Sequence, residues 1–214
     1  MADVDSSNTG SVEDLNSRAN LTRLLDELSE HPEQESEIRT RIKKVFSQNR
    51  AIFILDMSGF TRTTQRAGII SFLLMIHQMQ RLCLPVIEKH GGILVNTFAD
   101  NLTCLFDDVR PAVEASKELT TNLLAANVVL PQEKELYVSI GIGWGPVLNV
   151  ANEAIYGTQV NLASKLGEDI AELGEILLTE EAFARIKEDG IPSEERLVTV
   201  SGIDLPHFSI APGD

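Results

Sequence analysis

Apolar positions recur along the chain with two periods, and the changes of period mark its elements. Leu21, Leu24, Leu25 and Leu28 fall on one helical face, which His31-Pro32 interrupts. Glu37–Phe46 predicts a second amphipathic helix. Both faces need something to pack against, either the rest of the chain or a second copy. At Ala51 the helical period gives way to an apolar run through Leu55 that ends at Asp56, the pattern of a buried strand. Gly68 to about Lys89 returns to helical spacing, with Ile69, Phe72, Leu73, Ile76, Met79, Leu82 and Val86 as a stripe suited to a core or a dimer seam. Gly91-Gly92 punctuates next. Strands are predicted near 93–97 and 102–106 around a turn at Ala99–Asn101, and Asp108 can cap a helix reaching about Ala126. Leu136–Gly143 reads as a strand, Gln159–Leu166 as a short helix, Glu175–Leu178 as a strand and Glu180–Lys187 as a helix. Val198–Val200 and Phe208–Ile210 read as closing strands. From Ala51 the order β-α-β-β-α-β predicts an α+β fold with a ferredoxin-like split sheet. Residues 1–20 are polar and expected to be disordered, 21–48 form a helical extension, and 49–214 form the main domain.

Two of the predicted strands deliver an aspartate to a chain reversal. Asp56 ends the first strand, and Asp100 sits in the turn between the next two. Carboxylates brought together repel unless a cation lies between them, and oxygen ligands select hard ions such as Mg²⁺ or Mn²⁺. The turn Met57-Ser58-Gly59-Phe60 offers backbone N–H groups ahead of a helix, which suits a phosphate. A metal and phosphate site is the reading that joins the two features.

Composition narrows the partners. The net charge of −14 argues against a general nucleic-acid binder but leaves room for an anionic nucleotide neutralised by metal ions. Cys83 and Cys104 sit in apolar patterns and read as buried thiols in a reducing compartment. His31, His77, His90 and His207 show no metal-ligand spacing. No unbroken apolar run of about 18 residues predicts a membrane span. The first residues carry no secretory pattern, and a cytoplasmic location is expected.

Four segments together resemble a known family. Phe53–Thr61, Asp100 in its hairpin turn, Ile140–Val147 and Tyr156–Lys165 are similar, in that order, to the motifs of class III nucleotidyl cyclases, the adenylate and guanylate cyclases. The resemblance spans about residues 51 to 187. It implies that Asp56 and Asp100, with a backbone carbonyl near Met57, hold two Mg²⁺ or Mn²⁺ ions per site. Ser58, Gly59 and Phe60 remain the phosphate contacts read from the turn itself, and the resemblance implies that Asn161 orients the ribose and that Lys165 stabilises the pentavalent phosphate. The activity implied is conversion of a nucleoside triphosphate, ATP foremost, to a 3′,5′-cyclic nucleotide and pyrophosphate in intracellular signalling. The assembly implied is a head-to-tail homodimer with composite active sites.

The chain departs from the family's pattern at several of these places. Lys165 stands where the family has an arginine, keeping the charge but losing the planar fork. Asn96 stands where adenylate cyclases carry a base-reading lysine, and Thr158 takes the partner position. An amide presents both a donor and an acceptor and can face several bases. The late Val-Lys-Gly segment appears as Val200-Ser201-Gly202, so a triphosphate cation is missing there, a place that Arg62 or Arg66 can fill. These departures favour two other readings: a catalytically silent cyclase-like regulatory module that binds nucleotide or a partner, and a cyclase for guanine or a pyrimidine base.

Overall fold

The computed structural model describes residues 15–58, 60–128, 135–200 and 202–211, with the backbone alone for 58, 60–67 and 203. It opens with a helical hairpin, α1 (Arg18–Glu30) and α2 (Glu35–Phe46), joined by a 3₁₀ turn at Pro32–Gln34. Of the segment expected to be disordered, residues 1–14 lie outside the described residues. Arg18–Asn20 instead open α1, because the Ser17 side chain accepts from the Asn20 N–H as an N-cap. The hairpin is closed by Arg41, whose guanidinium donates to both Glu27 carboxylate oxygens at 2.5 and 3.1 Å. Its inner face, Leu24, Ile38, Ile42 and Phe46, packs with Val150 of the sheet. The predicted amphipathic faces therefore find their partner within the chain.

Strand β1 (Ser47–Ser58) follows α2 without a linker. Then come α3 (Phe60–Lys89), β2 (Ile93–Phe98), β3 (Asn101–Phe106), α4 (Val109–Asn127) and β4 (Tyr137–Val150). A short β5 (Ala154–Tyr156), α5 (Thr158–Ser164) and a π-helical segment (Lys165–Ile170) lead to β6 (Ile176–Thr179) and α6 (Glu180–Ile186). The chain closes on β7 (Ser193–Val200) and β8 (Ile203–Ile210). The sheet order is β2-β3-β1-β4-β6-β8-β7, with β5 added beside β4. Its first four strands pair antiparallel in the ferredoxin-like order that β-α-β-β-α-β predicts. Where sequence and structure differ, the strands are longer than their apolar runs. The pairing of β1 with β4 runs from Ser47 to Ser58, so the ladder continues after the side chains stop being apolar.

Strand β1 is apolar at every position from Ala51 to Leu55 because both faces of the sheet are covered. Ala51, Phe53, Leu55 and Met57 face α3 and α4, in a core with Phe72, Met79, Cys83, Val113 and Leu119. Ile52 and Ile54 face the other way, with Leu105, Val147 and Ala163 beneath α5. By strand alternation Asp56 belongs to this second face. Burial also pushes both thiols up to about 12, so Cys83 and Cys104 are inert core groups.

The long helix α3 breaks at Gly68, whose φ of 78° and ψ of 168° are not helical. The predicted stripe then divides. Phe72, Ile76, Met79 and Val86 are buried, whereas Ile69, Leu73 and Leu82 are exposed beside Ile70 and Leu74. Gly68–Lys89, 22 residues with a mean hydropathy of 1.4, is long and apolar enough to cross a membrane. Its Phe72, Met79, Cys83 and Ile87 nonetheless pack into the core of the sheet.

The glycines of β4 have a direct steric reason. A Cβ at Gly141 would collide with the Ala163 carbonyl and lie 2.6 Å from the Gly167 N, and one at Gly143 would lie 2.7 Å from the Gln159 carbonyl oxygen. These absences let α5 and the π segment lie against the strand. Gly141→Ala is expected to destabilise the fold by about 1–3 kcal/mol, the usual cost of overpacking against backbone. Urea unfolding checks this, and an unchanged midpoint would contradict the close packing.

Candidate active site

The geometry begins at the open end of β1. Asp56 is paired across the sheet with Asn101 on β3 and with Ser139 on β4. The β2–β3 hairpin closes in two residues, Ala99 and Asp100, because Phe98 pairs directly with Asn101. Ala99 takes a positive φ of 51° to make that turn. The tight turn thus sets Asp100 next to the residue that faces Asp56, bringing together two carboxylates 44 positions apart in the sequence. Asp56 is half-buried, and its carboxyl is pushed up from 3.8 to about 7. Burial is the largest cause, followed by the negative charges of Asp100, Glu168 and Asp169.

Glu168 and Asp169 lie on the π-helical segment after α5, and the sequence reading did not single them out. Gly167 places that segment on the sheet, since a Cβ there would meet the Ile54 carbonyl oxygen at 3.0 Å and the Gly141 N at 2.8 Å. Ile54 is two residues before Asp56 on the same strand face. The acidic pair therefore borders the aspartates within one chain. The only sequence signal for it is that glycine followed by two acids.

Asn161 is exposed on α5, and Lys165 follows one turn later, its N–H bonding back to the Asn161 and Leu162 carbonyls. The Lys165 ammonium is not free: it donates to Asp169 at 2.6 Å. Such an i, i+4 pair, half-exposed on both sides, is worth only about 0.3–0.5 kcal/mol, so a triphosphate can draw the lysine away. Asn96 is exposed on β2. A register shift between Leu94 and Asn96 pairs it with Thr103 and so puts it on the Asp56 face. Thr158, exposed at the start of α5, lines a groove of ≈ 420 Å³ between the α1–α2 hairpin and the sheet, with Leu28, Ile42, Lys43 and Tyr156. Met57 buries its side chain in the opposite core, leaving only its backbone for the site. Ser58 and Phe60 are placed by their backbone between β1 and α3. Gly59 and Ser201 lie outside the described residues, and the side chains of Arg62 and Arg66 are not described.

The donors fit a hard cation. Asp56 and Asp100 supply carboxylate oxygens, and Asn101 adds a side-chain Oδ1 that is buried without any hydrogen-bond partner. Among the described residues no set of three or more His, Cys, Asp or Glu side chains closes into a metal cluster. Any ion here would be shared between the two aspartates and neutral oxygens, the donor chemistry of Mg²⁺ or Mn²⁺.

The raised carboxyl has a consequence for stability. Its ordinary value is 3.8 and its folded value about 7, so between these the folded chain holds a proton that the unfolded chain has lost. Stability then falls as pH rises through that window, and Asp56→Asn removes the cost. With chelator present, Asp56→Asn is expected to be more stable than the parent at pH 8 by roughly 1–3 kcal/mol after allowing for solvent screening, with the gap falling to less than about half of that by pH 5. Urea unfolding at the two values checks this. A gap that does not change with pH would contradict the charge crowding.

No family model matches the chain. Among curated relatives, it is 24% identical over 130 residues to the putative adenylate cyclase 3 of Rhizobium meliloti, a match over 61% of this chain and 22% of that protein. It is 26% identical over 133 residues to the serine/threonine-protein kinase pkn2 of Myxococcus xanthus, over 62% of this chain and 16% of that protein. The chain thus spans less than a quarter of the length of either relative. Among solved structures, an adenylate/guanylate cyclase/hydrolase from Silicibacter pomeroyi superposes with a TM-score of 0.67 at 25% identity, covering 78% of this chain and 98% of that one. A dimeric guanylyl cyclase domain of the RhoGC fusion protein of Blastocladiella emersonii superposes with a TM-score of 0.65 at 15% identity, with the same coverage. Strand order and these likenesses agree: the chain has the fold of the class III adenylate/guanylate cyclase catalytic domains and is similar to them in sequence.

Proposed function

We propose that the chain is an active nucleotidyl cyclase, forming a 3′,5′-cyclic nucleotide and pyrophosphate, with ATP its foremost substrate. The observation that carries this reading is the convergence of Asp56 and Asp100 at one sheet end, where burial first, and then the charge of Asp100, push the Asp56 carboxyl up to about 7. A domain that merely bound a partner would gain nothing from such a cost. Mg²⁺ or Mn²⁺ bound by the two carboxylates would acidify the ribose 3′-hydroxyl and neutralise the triphosphate. The protein's own part is positioning. Asn161 hydrogen-bonds the ribose so that its 3′-oxygen lies in line with the α-phosphorus. The bond from that oxygen to phosphorus forms as the bond to pyrophosphate breaks. Lys165, released from Asp169, places its charge against the phosphate oxygens.

In this reading the working unit is a two-fold homodimer, with Asp56 and Asp100 of one chain facing Asn96, Thr158, Asn161 and Lys165 of its mate. The exposed apolar residues Ile69, Ile70, Leu73 and Leu74 of α3 and Phe98 of β2 are the surface that such an assembly would cover. The reading places the chain in the cytoplasm, where nucleoside triphosphates are made. Incubating the protein with each of the four ribonucleoside triphosphates and Mn²⁺, and identifying products by mass, tests the activity. Absence of any cyclic nucleotide would favour the silent regulatory module.

Base choice in this proposal rests on Asn96 and Thr158 and is loose. Strong discrimination needs fixed donors and acceptors that a wrong base leaves unpaired, and an exposed amide and hydroxyl offer few. Asn96→Lys is expected to sharpen preference for ATP over GTP by about tenfold, the equivalent of one added hydrogen bond of ~1.5 kcal/mol. Competition kinetics measure the ratio. A wild-type protein that already rejects GTP, CTP and UTP by over a thousandfold would place base reading elsewhere.

A further inference from the structure

We infer that Asn101 is an additional oxygen ligand of the metal site, a role that rests on the reading of Asp56 and Asp100 as metal ligands. Three observations converge on it. Asn101 is the register partner of Asp56, and directly opposed residues of an antiparallel pair share a face with their Cβ atoms about 4.5–5.5 Å apart. It follows Asp100 immediately, at the end of the two-residue hairpin loop. Its Oδ1 is the buried side-chain oxygen that, among the described residues, has no hydrogen-bond partner.

An orphaned buried oxygen is costly, because it has given up its water without gaining a donor. Leucine or threonine would fill the same strand position without that cost, and Thr103, two residues on, lies on the same face. A hard cation shared by Asp56 and Asp100 satisfies the orphan, because a carboxamide oxygen is an ordinary ligand for such ions. The amide also suits the charge balance. Asp56 is already crowded by Asp100, Glu168 and Asp169, so a neutral oxygen adds a ligand without adding a further negative charge.

Binding of Mn²⁺ to the full chain without nucleotide, followed by the loss of the free-ion EPR signal at pH 8, tests this apart from catalysis. Asn101→Leu keeps the side chain's size and removes its oxygen. It is expected to weaken Mn²⁺ binding by about tenfold or more, while the metal-free protein melts at the same temperature or higher because the orphan is gone. Asn101→Asp, which keeps the oxygen and adds charge, is expected to bind Mn²⁺ several-fold more tightly. Should the leucine variant fail to fold, the aspartate variant decides alone, and affinity equal to or below that of the parent overturns the assignment. Affinity within about twofold of the parent in Asn101→Leu, with binding lost in Asp56→Ala and Asp100→Ala, removes Asn101 and leaves the metal site standing. Binding retained in the two alanine variants removes the metal site itself, and Asn101 with it.

Discussion

Asp56→Ala and Asp100→Ala are each expected to reduce cyclic nucleotide formation by at least a thousandfold while leaving a folded protein. The size follows from what the carboxylates are asked to do. A metal site supplies both activation of the attacking oxygen and neutralisation of the triphosphate, and each 1.4 kcal/mol lost from the transition state is tenfold in rate. The fold is expected to survive because the two side chains hold nothing else. Asp56 is repelled by its neighbours, and no ion pair joins either carboxylate to another described residue. Circular dichroism together with a product assay checks both halves. A single variant that keeps near-parental rate with Mg²⁺ would remove the assignment.

Mixing two inactive proteins is expected to restore activity. Asp56→Ala disables one side of a composite site and Asn161→Ala the other, so a mixed dimer carries one site with both changes and one with neither. Random exchange puts about half of the chains into mixed dimers, each with one intact site of two, so recovery should approach about a quarter of the parental rate. The arrangement explains a feature of the single chain. Asn161 lies exposed on α5, and Lys165 donates to Asp169 within its own chain. Recovery near zero, with subunit exchange confirmed by a size or affinity tag, would rule out sites shared between chains.

Much of this is legible in the sequence, for local physical reasons. The run Ala51–Leu55 reads as a buried strand because both faces of β1 are covered, and covered strands lose their polar alternation. Asp100 reads as a hairpin turn because Ala99–Asn101 separates two apolar runs. What escapes the sequence depends on contacts between distant residues. The alternation of Gly141 and Gly143 is visible, but the backbone of α5 and the π segment that it admits is not. Glu168 and Asp169 look like solvated helix residues until Gly167 sets them beside Asp56. Asn101 looks like turn punctuation until the β1–β3 register places it opposite Asp56. The exposed part of the α3 stripe is hidden for another reason. Helical spacing reports that Ile69 and Leu73 share a face with buried neighbours, but not that they themselves stay exposed just after the break at Gly68.

The most direct measurement is the stoichiometry of products from ATP and Mn²⁺, with Asp56→Ala run beside the parent. Cyclisation releases one pyrophosphate for each 3′,5′-cyclic nucleotide formed, and the parent protein is expected to yield the two in equal amounts while Asp56→Ala yields neither. Orthophosphate in place of pyrophosphate, no turnover of any triphosphate, or equal yields from both proteins would contradict the assignment of a cyclase site to Asp56 and Asp100.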